Sequence, residues 1–266
     1  MIDLHAHVLP GVDDGPADME ASVALLRAAI ATGTETIVAT PHLREDFLDD
    51  PARIEPAVAR VRDAAAADDV RIDVVAGAEV AGTKLPDLDE EALRTLCLGD
   101  GPYILVESPY VHLPRHFADS VVDLEIRGWR PMLAHPERCA AFLEDRSLLR
   151  DLVDRGVRCS VTAGSMAGRF GGRVRDMTAW MFAEGLVDNV ASDAHDAVKR
   201  PPGLRDGFAK LDEMLPGLGE QADWYTRAAP AAMLAGQDLP ARPDPPRPRQ
   251  RSLGRLLGPL RVRSGR

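Results

Sequence analysis

The 266-residue chain lacks any apolar run approaching the roughly 20 residues that cross a bilayer, which excludes a transmembrane helix. Only four residues precede His5, too few for the basic and apolar regions of a secretory signal, so a cytoplasmic location is expected. Cysteine is scarce. Cys97, Cys139 and Cys159 show neither CxxC spacing nor an even count, which argues against a disulfide framework or a zinc knuckle and reads as reduced thiols. The glycine-rich stretch TAGSMAGRFGG, residues 162–172, lacks a terminal GK[ST] and is no P-loop; a plain connection and a lid over a pocket both fit it. Basic charge is short over most of the chain: residues 1–240 carry 24 basic and 41 acidic side chains. Without clustered Lys and Arg there is no affinity for phosphate backbones, and nucleic acid is not an expected partner. The final 26 residues reverse this, with eight arginines against one aspartate.

What is present is the composition of a soluble globular protein, 45% apolar and 28% charged, long enough for one large α/β domain. Short apolar runs read as strands near Ile2–Leu4, Thr36–Ala39, Ile72–Ala76, Tyr103–Val106, Pro131–Ala134, Val157–Val161 and Val187–Ala191. Amphipathic stretches alternate with them, at Met19–Ala31, Arg53–Ala67, Asp89–Leu96, Phe117–Arg127, Leu148–Arg155 and Val174–Glu184. Such alternation signals parallel strands joined by crossover helices. Seven evenly spaced repeats favour a closed barrel with one strand fewer than the usual eight; a doubly wound open sheet has the same periodicity. Residues 203–237 read as one or two further helices, completing a body over 1–238. The remainder, 239–266, is rich in proline and arginine and is expected to be an extended, disordered tail.

The polar residues ending these strands share a character. His5 and His7 follow the first, His42 the second, Glu79 the third, Glu107 the fourth, His135 the fifth, and Asp193 with His195 the seventh. In a parallel barrel the C-terminal strand ends gather at one face, so these sequence-distant groups become neighbours. Five of the seven histidines stand at such ends. The other two, His112 and His116, have helical i, i+4 spacing, but Pro114 between them argues against a helical metal pair. Imidazole with carboxylate suits manganese, iron, zinc or cobalt rather than magnesium or calcium. Eight or nine ligands exceed what one ion takes, so two or three ions are expected. Neighbouring ions activate a shared water and clamp a transferring phosphoryl group, which makes hydrolysis the natural reaction class.

These residues resemble a family. HAH at 5–7, GVDDG at 11–15, TPH at 40–42, GAE at 77–79, AHPER at 134–138, TAGS at 162–165 and SDAH at 192–195 look like the polymerase-and-histidinol-phosphatase (PHP) superfamily. More narrowly, LPGVDDG, AHPER and the residues around Arg200 resemble its CpsB/CapC/YwqE-type bacterial protein-tyrosine phosphatases. The resemblance covers residues 1–235 and implies a distorted (β/α)7 TIM-like barrel. It also implies a protein-tyrosine phosphatase acting on a membrane-associated tyrosine kinase of capsule or exopolysaccharide synthesis, with manganese foremost among the metals. Carried over, it assigns His5, His7, Glu79 and Asp193 to one ion, Glu79, Glu107 and His135 to a second, and Asp14, His42 and His195 to a third. Asp14 is favoured over Asp13, although spacing does not separate them; the other aspartate would serve a turn or helix cap. Arg138 and Arg200 are the candidates for bidentate phosphate binding. A tyrosine phosphate suits such a site, because a phenolate of pKa about 10 leaves with little need for a general acid.

A cysteine-based phosphatase is excluded: its loop needs an arginine six positions after the cysteine, and those positions hold Tyr103, Asp145 and Ser165. Two further readings share the barrel. One is a phosphoesterase for a small molecule such as histidinol phosphate; the other is a non-catalytic scaffold that binds a kinase. In either case the basic tail, with Leu256, Leu257 and Leu260 among its arginines, could contact the kinase or the inner face of an anionic membrane.

Overall fold

The computed structural model describes residues 1–110, 113–114 and 116–249. Nine parallel strands carry it: β1 Ile2–Ala6, β2 Thr36–Ala39, β3 His42–Leu43, β4 Asp73–Ala76, β5 Glu79–Ala81, β6 Tyr103–Glu107, β7 Arg130–Ala134, β8 Arg158–Thr162 and β9 Asn189–Ala191. They form a three-stranded sheet in the order β1-β2-β4 and a six-stranded sheet in the order β3-β5-β6-β7-β8-β9. All seven expected strands are present. The second and third are each followed after two residues by a short strand that belongs to the other sheet. Between β2 and β3 stands Pro41, which has no N–H to give a ladder. Between β4 and β5 stands Gly77, where a Cβ would lie 2.9 Å from both Val38 and Leu98 side chains. The breaks let β3 and β5 pair in register with His42 opposite Glu79, bringing two candidate ligands side by side.

The first and last strands also meet. Asp193 N–H donates to the His5 carbonyl at 2.9 Å, and His7 N–H donates to the Ala194 carbonyl at 2.8 Å. Asp3 reinforces this seam: its Oδ1 accepts from Ser192 N at 2.9 Å and from His5 N at 3.3 Å.

Helices cover the outer faces. Met19–Ala31 begins at Asp18, whose carboxylate accepts from Ala21 N; Glu90–Leu96 begins at Asp89 and Arg146–Asp154 at Asp145 in the same manner. Each such cap contributes about 1 kcal/mol. Leu25, Leu26, Val58, Val61, Leu124 and Leu149 are fully buried from these layers, each removing apolar surface from water. Leu4, Val38, Leu105 and Met132, from four different strands, form a second cluster with Met233 of the helix Ala229–Leu234.

The tail expected from 239 onward is pinned to the body as far as Arg249. Arg242 pairs with buried Asp188 and lies 5.7 Å from the Trp224 ring centroid, Gln221 Nε2 donates to the Asp244 carbonyl at 3.1 Å, and Arg249 N donates to the Met214 carbonyl at 3.1 Å. Composition there lacks apolar groups, but the anchors are an ion pair, a stacking contact and main-chain hydrogen bonds. The expectations for residues 250–266 and for His112 lie outside the described residues.

Candidate metal centre

Because the strands are parallel, their C-terminal ends open on one face, and the nine expected ligand side chains come together there. His5 lies within β1 and His7 just beyond it; His42 and Glu79 begin β3 and β5; Glu107 ends β6; His135 follows β7; Asp193 and His195 follow β9. Glu79 is at the centre, fully buried. Its Oε1 lies 2.8 Å from His135 Nε2, and its Oε2 lies 2.8 Å from His42 Nδ1, 3.4 Å from His5 Nε2 and 3.5 Å from His7 Nε2. Asp193 Oδ1 lies 3.6 to 3.7 Å from His7, His195 and His5. Asp14 Oδ1 approaches His195 Nε2 at 3.1 Å and His42 Nε2 at 3.5 Å.

Ligand atoms within 4.8 Å of one another fall into four sets: His7, Asp14, His42 and His195; His5, His7 and Asp193; His5, Glu79 and His135; and His42, Glu79 and Glu107. Sharing of His5, His7, His42 and Glu79 between sets is the pattern of adjacent ions with common ligands. The partition differs from the expected one: Glu107 and His135 fall in separate sets, with His135 beside Glu79 Oε1 and His42, which joins Glu107, beside Oε2. His116 stands at the start of the helix Phe117–Ile126 and joins no set among the described residues.

The donors fit divalent ions by an independent criterion. Buried polar atoms are normally hydrogen-bonded, yet Glu79 Oε2, His42 Nδ1 and His195 Nε2 are buried without a hydrogen bond of proper alignment. They point into the cluster, as lone pairs awaiting a cation do. The backbone is also constrained: His135 at φ 38° and Asp193 at φ 53° are two of the three non-glycine residues in the left-handed region among those described. Such conformations cost about 1–3 kcal/mol and collect at functional sites.

Charge follows from the packing. Burial opposes ionisation of Glu79, but the imidazoles of His5, His135 and His42 outweigh it and hold the carboxyl well below its usual range. Asp193 is likewise depressed, against burial, by His5, His135, Arg138 and Arg200. Burial would lower the His7 pKa; hydrogen bonds to Asp13 and Glu79 lift it to about 10. Burial and the Arg138 charge push His135 down to about 4, the neutral state a ligand needs. Glu107 is raised by burial and by the charge of Glu79.

Asp13 and Asp14 take different places. Asp13 Oδ2 lies 2.7 Å from His7 Nδ1 and accepts from His42 N at 3.1 Å, while its Oδ1 accepts from Gly15 N at 2.9 Å. It therefore orients His7 from behind, as carboxylates do for metal-bound imidazoles. Of the turn or helix cap expected of this aspartate, the turn is the role found, through the bond from Gly15 N; the cap of the first helix is Asp18. At Gly15 a Cβ would stand 2.9 Å from Asp13 Oδ1 and from the His7 carbonyl, so no larger residue fits beneath the turn.

Both candidate phosphate-binding arginines reach Asp193 Oδ2, Arg138 at 2.5 Å and Arg200 at 2.9 Å. Three other residues build the site without having been singled out from the sequence. Asp3 fastens the seam beneath His5. Glu137, fully buried, accepts from Thr162 N at 2.9 Å and Ser165 Oγ at 2.6 Å, tying AHPER to TAGS. Tyr110 stacks on His135 at 5.4 Å between centroids and accepts from Arg138 through its hydroxyl at 2.5 Å. A buried acid inside an apolar run, as in MIDLH, was the available signal for Asp3; Tyr110 offered none. The stretch 162–172 opens as a buried helical turn, Ala163–Met166, and carries Phe170 to within 4.4 Å of Arg138.

Known proteins are similar to this chain. A family model described as "Capsular polysaccharide synthesis, CpsB/CapC" matches residues 1–221. The tyrosine-protein phosphatase YwqE of Bacillus subtilis (strain 168) is 31% identical over 255 residues, 96% of this chain and 99% of its own. The tyrosine-protein phosphatase CpsB of Streptococcus pneumoniae is 31% identical over 218 residues, 78% of this chain and 88% of its own. A crystal structure from work on YwqE and CpsB as unique metal-dependent tyrosine phosphatases superposes with a TM-score of 0.81 at 32% identity, covering 94% of this chain and 100% of that one.

Proposed function

This chain belongs to the CpsB/CapC capsular polysaccharide synthesis family, and we propose that it is a metal-dependent protein-tyrosine phosphatase. The observation that carries the reading is the convergence of five histidines and three acids around Glu79, with Arg138 and Arg200 at the same pocket. His5, His7, Asp14, His42, Glu79, Glu107, His135, Asp193 and His195 would hold two or three divalent ions, manganese foremost. Such ions supply Lewis acidity toward phosphoryl oxygens and acidify water.

The chain's own groups do the rest. Arg200, with 36% of its side chain exposed, reaches solvent from its contact with Asp193 and can turn its fork onto phosphate oxygens. Arg138, more enclosed, offers a fixed positive charge beside them. Asp193 stays ionised and holds both arginines. Asp14 is held ionised by the His195 imidazole beside it, so it serves as a ligand rather than a proton donor. A phenolate leaves without such a donor, which favours tyrosine phosphate over alkyl esters.

We read the two sheets as one distorted seven-repeat barrel; the hydrogen bonds from the end of β9 to β1 support this. The substrate is proposed to be a phosphorylated tyrosine kinase of capsule or exopolysaccharide synthesis, met in the cytoplasm or at the inner membrane face, with the basic residues beyond 249 as a contact to it. The test assays the purified, manganese-loaded protein on a phosphotyrosine peptide and on histidinol phosphate. Turnover of the peptide, at least a hundredfold faster by kcat/KM, is expected; turnover of histidinol phosphate alone would refute the reading.

A further inference from the structure

Six large hydrophobic side chains are exposed among the described residues, and the two aromatic ones, Tyr110 at 41% and Phe170 at 39%, both lie against Arg138. The guanidinium carbon of Arg138 is 5.0 Å from the Tyr110 ring centroid and 4.4 Å from that of Phe170. Each ring is held in place. Tyr110 is stacked on His135 with 14° between planes and hydrogen-bonded to Arg138. Phe170 lies on Gly164, where even a Cβ would be 3.3 Å from its ring, and the turn beneath it is closed by Arg169 N donating to the Gly164 carbonyl at 2.9 Å.

We propose that Tyr110 and Phe170 form an aromatic jaw that grips the phenyl ring of the substrate and so sets preference for aryl over alkyl phosphate. The proposal rests on the phosphatase reading above and adds the residues that select within it. A phosphoryl group bound by Arg138 places its ester oxygen, and the carbon attached to it, beside the guanidinium, where the two rings stand. Half-exposed rings leave area free for a third ring, and aromatic pairs in offset or edge-to-face contact gain more than their buried area alone. An alkyl ester offers no such face.

Two non-hydrolysable ligands separate ring from phosphate: benzylphosphonate and methylphosphonate, each titrated calorimetrically into the manganese-loaded full chain. Wild-type protein is expected to bind benzylphosphonate at least tenfold more tightly. In Phe170→Ala the ratio should fall below three, and likewise in Tyr110→Ala. Tyr110→Phe keeps the ring and loses the hydroxyl on Arg138, so both affinities should drop together with the ratio preserved. A wild-type ratio near one, or a ratio unchanged by both alanine variants, overturns the jaw while a cleaved phosphotyrosine peptide leaves the phosphatase reading standing. An uncleaved peptide overturns both.

Discussion

Asp13 and Asp14 differ by one position and by their whole surroundings. Asp13 is enclosed behind His7, whereas Asp14, with 47% of its side chain exposed, faces the cluster beside His195. Sequence spacing could not separate them, since a turn between strand and helix decides which way each carboxylate points. The histidines were readable because strand ends recur, and a recurring residue type at a recurring position survives ignorance of the turns between. Tyr110 and Glu137 were not, because their partners lie 25 to 28 residues away and no local pattern marks such a contact. Asp13→Asn should weaken metal binding by about 10–100-fold, because His7 loses the carboxylate that fixes its tautomer and orientation. Metal titration followed by calorimetry checks it, and unchanged affinity would remove Asp13 from that role.

The three thiols give a pH prediction at the same scale. Burial pushes the Cys97 thiol up to about 12 and also raises Cys139 and Cys159. Unfolded thiols ionise near 8.5, so above that pH the folded state binds more protons than the unfolded one and stability falls as pH rises. Below it the thiols are protonated in both states and contribute no slope. Alkylation of the native protein at pH 9 is therefore expected to run at least tenfold slower than in urea, and Cys97→Ala, Cys139→Ala and Cys159→Ala combined should retain hydrolysis. Loss of turnover with the fold intact would reopen a thiol mechanism.

Among elements, the helices fell close to their expected bounds because each has an apolar stripe, and three of them also have an acidic cap, at Asp18, Asp89 and Asp145. What periodicity could not register was the division of strands at Pro41 and Gly77, where a two-residue interruption moves His42 and Glu79 into the second sheet. The C-terminal strap misled in the opposite way. Its proline-rich composition reads as solvated chain, yet Arg242 reaches Asp188, which has no exposed surface and is otherwise held by Arg158 and Cys159 N. Stripping a buried carboxylate of one partner destabilises by up to about 3–5 kcal/mol. With Arg158 still present, Arg242→Ala should cost about 2 kcal/mol, below that range. Truncation after Leu239 should cost at least as much, and truncation after Arg249 almost nothing. Thermal melts of the three proteins distinguish the strap from a passive tail; equal Tm values would contradict it.

For the whole molecule, parallel strands set the outcome: they bring residues 5 through 195 to one face, where buried lone pairs point inward and arginines wait at the rim. The parallel α/β class and the gathering of histidines and acids at the strand ends were legible because they follow from periodicity and residue chemistry. Which ligands group together was not, since it depends on side-chain torsions that no sequence pattern marks. Metal-dependent hydrolysis of phosphotyrosine is the central claim, and metal removal tests it most directly. Wild-type protein and Asp193→Ala are stripped with a strong chelator, dialysed, and assayed on a phosphotyrosine peptide before and after manganese is restored, with bound metal quantified throughout. Stripped wild-type protein should lose at least 99% of its turnover, roughly 3 kcal/mol or more in transition-state stabilisation, and regain it with two or three ions bound per chain; Asp193→Ala should regain none. Full turnover by metal-free wild-type protein would contradict it.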